Sequence, residues 1–150
     1  MTISGKSIGT GLTMALLAAT PASAQDAIAQ FYKDKKMIMM VGSTPGGGYD
    51  TYARLVSNHL GRFIPGNPSF ITQNKNGAGS IIATNYVVNT MPRDGTVIIG
   101  LQRNAAMVQI LGRKGPQFKA SELNWIGSLA TEAGACVVTR RSGIKTFGDL

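Results

Sequence analysis

The 150-residue chain has single-domain length, and its 43% hydrophobic and 15% charged residues are those of a globular protein rather than a disordered one. Fifteen basic and seven acidic residues leave a net charge of +8. The basic residues stand singly or in pairs (Lys35–Lys36, Arg113–Lys114, Arg140–Arg141) without interleaved aromatics, which argues against a nucleic-acid partner and for a solvated basic surface able to attract anions.

Lys6 is the only charge before Asp26, Ile8 to Thr20 is apolar or small, and Ala22-Ser23-Ala24 forms an A-x-A pattern ahead of Gln25. This is the layout of a secretory signal peptide over residues 1–24, cleaved before Gln25. Its apolar run is short for a bilayer span, and the rest of the chain offers no second candidate. The expected product is exported and soluble. With Cys136 as the only cysteine, no intramolecular disulfide can form. Its setting, Ala135-Cys136-Val137-Val138, reads as a buried strand thiol.

After a polar lead-in with a short helix over Ala27 to Tyr32, Met37 to Val41 is a continuous apolar run, the pattern of a strand covered on both faces. Gly46-Gly47-Gly48 follows and leads into a helix over Tyr49 to Ile64, whose apolar stripe is Tyr52, Val56, Leu60 and Phe63, widened by Ala53 and Ile64. Asp50 lies in its first turn, where it suits the helix dipole and pairs with Arg54 at i,i+4, or shapes the loop. Pro65-Gly66-Asn67-Pro68 ends the helix. Ser69 to Gln73 is a second strand, followed by the glycine turn Asn74 to Ser80 and a helix from Ile81 to Met91. Pro92-Arg93-Asp94-Gly95 is a turn and Thr96 to Leu101 a third strand. A third helix is expected over Asn104 to Leu111, closed by Gly112 to Gly115. Two more strands are expected at Trp125 to Leu129 and Ala135 to Thr139, and a helix capped by Thr146. The alternation implies an α/β fold with a mainly parallel sheet flanked by helices, with ligands at the carboxyl ends of the strands.

Both glycine turns fall on that edge. Helix N-termini present N–H groups without intrahelical partners, together with the positive end of the helix dipole, and so attract anions. Gly46-x-Gly48 lacks the third glycine of a dinucleotide fingerprint, and no P-loop lysine follows. The two turns together read as a grip for a carboxylate, built from backbone N–H groups and the Ser80 hydroxyl. No cofactor and no metal site is expected, since no His or Cys cluster has ligand spacing. His59 is the only histidine and reads as a surface helix residue. Asp50 and His59 are nine positions apart, on opposite faces of the helix, so no catalytic set assembles.

In their order and spacing, the signal peptide and the stretches PGGGYDTYAR, IPGNP, QNKNGAGS, PRDGTVIIG and NWIGS resemble the Bug-type receptors. These are the extracytoplasmic solute-binding proteins of tripartite tricarboxylate transporters. The resemblance runs from Met37 to Leu150. It implies a periplasmic-binding-protein-like fold of two lobes that closes on a small organic carboxylate and delivers it to membrane permease subunits in the periplasm. It assigns the ligand to Gly47, Gly48, Tyr49 and Asp50 of the first turn and to Gly77, Ala78, Gly79 and Ser80 of the second. Tyr49 stands where the family has a smaller polar residue, Lys75-Asn76 replaces a proline-containing approach, and Ser80 stands where many members have glycine. Members are much longer. On this resemblance residues 25–140 correspond to an incomplete first lobe and 141–150 to the start of the second, in a truncated chain expected to bind poorly alone and to aggregate. The alternatives are an exported α/β enzyme acting on an acidic substrate and a truncated remnant without function.

Overall fold

The computed structural model describes residues 22–131 and 135–149; the proposed signal peptide lies outside them up to residue 21. The centre of the fold is β1 (Lys36–Val41), whose side chains alternate between two cores. Met39 and Val41 pack with Ala53, Val56, Phe70 and Ile98 on one face. Met40 and Ile38 pack with Ala83, Val87, Val97 and Ile99 on the other. A strand buried on both faces needs apolar residues at every position, which is why its sequence shows no polar alternation.

Helix α1 (Ala22–Tyr32) precedes β1 and reaches further toward the N-terminus than expected. Helix α2 (Gly48–Leu60), continued by a short 3-10 turn, connects β1 to β2 (Ser69–Asn74). Helix α3 (Ile81–Thr90) connects β2 to β3 (Val97–Gly100). The three strands are parallel in the order β2-β1-β3, with Ile38 opposite Ile71 in β2 and Val97 in β3. Helices therefore cover both faces of a small parallel sheet, and the order reverses around β1. This is the α/β arrangement expected, with the loops after β1, β2 and β3 gathered at one edge. Among the described residues no helix is long and apolar enough to cross a membrane.

Four expectations are corrected. Of the expected stripe of α2, Ala53 is buried and Val56 packs against the core, but Tyr52 and Phe63 are exposed and the other buried residues are Asp50 and Ser57. Small residues let the helix approach closely: the Ala53 Cβ meets Gly100, and the Ser57 hydroxyl donates to Ala53 O while accepting from Thr72. The helix expected at Asn104 to Leu111 is a 3-10 segment, Arg103–Met107, followed by turns. It packs through Val108 against Ile81 and Phe118. The Asn85 side chain holds Gly115 and Gln117 by their backbones, which directs this segment onto α3 instead of into a longer helix.

Neither Trp125 to Leu129 nor Ala135 to Thr139 forms a strand. A strand exists only where a neighbour accepts its ladder of hydrogen bonds, and among the described residues β3 has β1 on one side and no strand on the other. The Trp125 indole N–H donates to Ala120 O at 2.8 Å instead. Cys136 is consequently exposed, not a buried strand thiol. At the end of the chain Phe147–Asp149 is a single 3-10 turn, in which the Asp149 carboxylate accepts from Lys145 and Thr146 N–H groups.

Candidate functional site

The carboxyl edge of the sheet is organised by Asp50. Its side chain is buried although it is charged. One oxygen accepts from Gly46 N–H and from the Arg54 Nε–H, both at 2.9 Å. The other accepts from the Asn74 amide at 2.7 Å. Asn74 ends β2, and its amide also donates to Ser43 O at 3.1 Å, while its own oxygen accepts from Arg54 at 3.1 Å. The loop after β1 is thus stapled to the end of β2. The Arg54 side chain, then Gly46 N–H, then Asn74 hold the Asp50 carboxyl well below the usual carboxylate range. A carboxylate saturated in this way shapes the turn. Three of its four lone-pair directions are taken by internal donors, so its role is one of positioning.

The first intrahelical bond of α2 runs from Thr51 N–H to Gly47 O at 2.9 Å. The Gly48, Tyr49 and Asp50 N–H groups come before it and have no helical acceptor. Gly47 is the N-cap, extended at φ −77°, ψ 168°, and no side chain caps the helix. The half-buried Tyr49 reaches across the edge, its hydroxyl accepting from Arg103 N–H at 3.4 Å. Tyr49 therefore bridges the loops after β1 and β3, as a wall of the site would. This is where the strand order reverses, the usual ligand crevice of such sheets.

The second turn differs from expectation. Gly77, Ala78, Gly79 and Ser80 all have positive φ. Ser80 is fully buried, and its hydroxyl is committed internally. It donates to Gly42 O at 3.1 Å and accepts from Gln102 N–H at 3.0 Å. Its own N–H donates to Gly77 O. Ser80 therefore ties the end of β1 to the residues after β3 and offers a ligand neither its hydroxyl nor its N–H. Gly42 makes this possible, because a Cβ there would coincide with the Ser80 side chain. Ala78 and Gly79 remain on the outer surface of the turn, ahead of the bond from Ile81 N–H to Ala78 O.

The structure brings the two glycine turns to one edge and leaves His59 out, exposed on the opposite side of α2 from Asp50. Three residues that sequence reasoning passed over contribute: Asn74 as the staple, Gly42 as the space for Ser80, and Ser43. The Ser43 side chain is buried, and its hydroxyl has no hydrogen-bond partner. A serine two residues past a buried strand and just before a glycine turn was the available signal. Two shallow, open concavities lie elsewhere among the described residues, one along Val138 and Ile144 to Phe147, one between α1 and Asp94. No protein-family profile, curated protein or solved structure matches the chain.

Proposed function

We propose that the chain belongs to an exported, periplasmic receptor that reversibly captures a small organic carboxylate and passes it to permease subunits, as its resemblance to Bug-type receptors implies. The sheet described above would be the first lobe of the periplasmic-binding-protein-like fold. The observation that carries this reading is the pair of glycine turns held on one sheet edge by Asp50, Asn74 and Ser80, with the first-turn N–H groups of α2 left without acceptors among the described residues. Such donors hold an anion without a basic side chain. Asp50, the base that an exported enzyme would need here, is already engaged by three donors.

A single substitution tests the donors. Gly47 already has the extended backbone required before proline, and proline is well tolerated at the first helical position. Nothing lies near a side chain at position 48. Gly48→Pro therefore removes one N–H while keeping the helix start. In a titration with succinate and citrate carried to high acid concentration and followed by amide chemical shifts, the wild type should show weak but saturable shifts at Gly48 and Tyr49. Gly48→Pro should bind about tenfold more weakly, the loss of one hydrogen bond to a charged group. A wild type whose amides do not respond to either acid refutes the reading.

A further inference from the structure

We infer that the Ser43 hydroxyl is a ligand contact, donating a hydrogen bond to a carboxylate oxygen held at the N-terminus of α2. The inference rests on the carboxylate reading above and adds a side chain to it. Ser43 is 8% exposed, and its hydroxyl oxygen is the one buried side-chain polar atom among the described residues that lacks a partner. A buried hydroxyl without a partner destabilises the fold that contains it, and such groups in native proteins call for an explanation. The surroundings here are polar. The Ser43 carbonyl accepts from Asn74, which in turn holds Asp50, the first-turn residue whose carboxylate fixes Gly46.

The alternation of β1 gives the direction. Met40 packs toward α3 and Val41 toward α2. Gly42 then falls on the α3 side, where Ser80 packs against it. Continuing this alternation past the end of β1 puts Ser43 on the α2 side, where its carbonyl shares the Asn74 amide with Asp50 of α2. On this inference the hydroxyl acts together with the Gly48 and Tyr49 N–H groups, three neutral donors for one anionic group. Arg54, the nearest cation on α2, is bound to Asp50 and Asn74 and balances Asp50 rather than a ligand. The chemistry selected is a carboxylate held by neutral hydrogen bonds.

The test compares wild type, Ser43→Ala and Ser43→Thr in the succinate and citrate titration, with thermal unfolding measured on each protein without added acid. Ser43→Ala should bind about tenfold more weakly and unfold at the same or a higher temperature, because no internal partner loses its bond. Ser43→Thr, which keeps the hydroxyl, should retain most of the affinity. Equal binding by wild type and Ser43→Ala overturns this inference alone, leaving the hydroxyl to water and the carboxylate reading intact. A clear fall in the unfolding temperature of Ser43→Ala also overturns it, by showing an internal role. A wild type that binds neither acid refutes the carboxylate reading and this inference with it.

Discussion

A buried carboxylate is tolerated when internal donors replace its lost hydration, and Asp50 accepts from three. The consequence is a pH dependence of defined sign. Its folded-state pKa is depressed below the value near 3.9 of a free aspartate. The stabilisation is therefore complete above about pH 4 to 5 and is lost as pH falls toward the folded-state value. The thermal midpoints of wild type and Asp50→Asn should differ most at neutral pH and converge on acidification, a comparison that calorimetry or circular dichroism can make. Asp94 and Asp149 are also depressed, by Thr96 and by the backbone of Lys145 and Thr146, so the difference between the two curves is the meaningful quantity. The pairing of Asp50 with Arg54 was legible from four-residue spacing. Its bonds to Gly46 and to Asn74, twenty-four residues away, required the fold.

Gly42 and Ser80 form a second residue-scale unit. Gly42→Ala should destabilise by about 1–3 kcal/mol, the usual range for forcing extra volume into a packed site. Combining it with Ser80→Gly removes the clash and should recover part of that loss, measured as a non-additive double-mutant cycle in denaturant unfolding. Ser80 was expected to face the ligand because it follows three small residues in a turn. Its positive φ of 74° turns the side chain inward, which a string of residue types does not reveal.

Among the elements, α2 carries the main lesson. Apolar spacing identified the helix and placed Ala53 and Val56 on its inner side, yet Ala53 is flanked there by buried Asp50 and Ser57 while Tyr52 is exposed. Hydrophobic periodicity ranks side chains by transfer free energy, whereas close approach to a sheet selects small volume and satisfied polar groups. Substitutions should follow the observed face. Ala53→Leu should cost about 1–3 kcal/mol by overpacking against Gly100 and Met39. Phe63→Ser, at a position 71% exposed, should lie within about 0.5 kcal/mol of wild type. Equal effects in urea unfolding would show that the face is misassigned. The segment after β3 was less legible still, because Asn85 and Gln109 direct its path through side-chain bonds to distant backbone.

For the whole molecule, the decisive feature is what stays uncovered. Ile126, Val137 and Phe147 are each more than four-fifths exposed, and among the described residues the outer edge of β3 pairs with no strand. Open edges and contiguous apolar surface promote association. The chain should self-associate in a concentration-dependent way, visible by sedimentation velocity. Adding charge through Ile126→Lys and Val137→Lys should reduce this without lowering the unfolding temperature. A monodisperse wild type at high concentration contradicts the prediction.

The linear pattern determined the strand–helix alternation, the parallel sheet, the two glycine turns at the carboxyl edge and the pairing of Asp50 with Arg54. These depend on periodicity, chain reversal and near-neighbour spacing, which are local. Tertiary structure decided which face of α2 is buried, that two apolar runs remain without strand partners, and that Ser80 is an internal tie while Ser43 is left with a free hydroxyl. Those outcomes depend on whether a distant donor, acceptor or strand arrives alongside, and that is settled only when the elements pack.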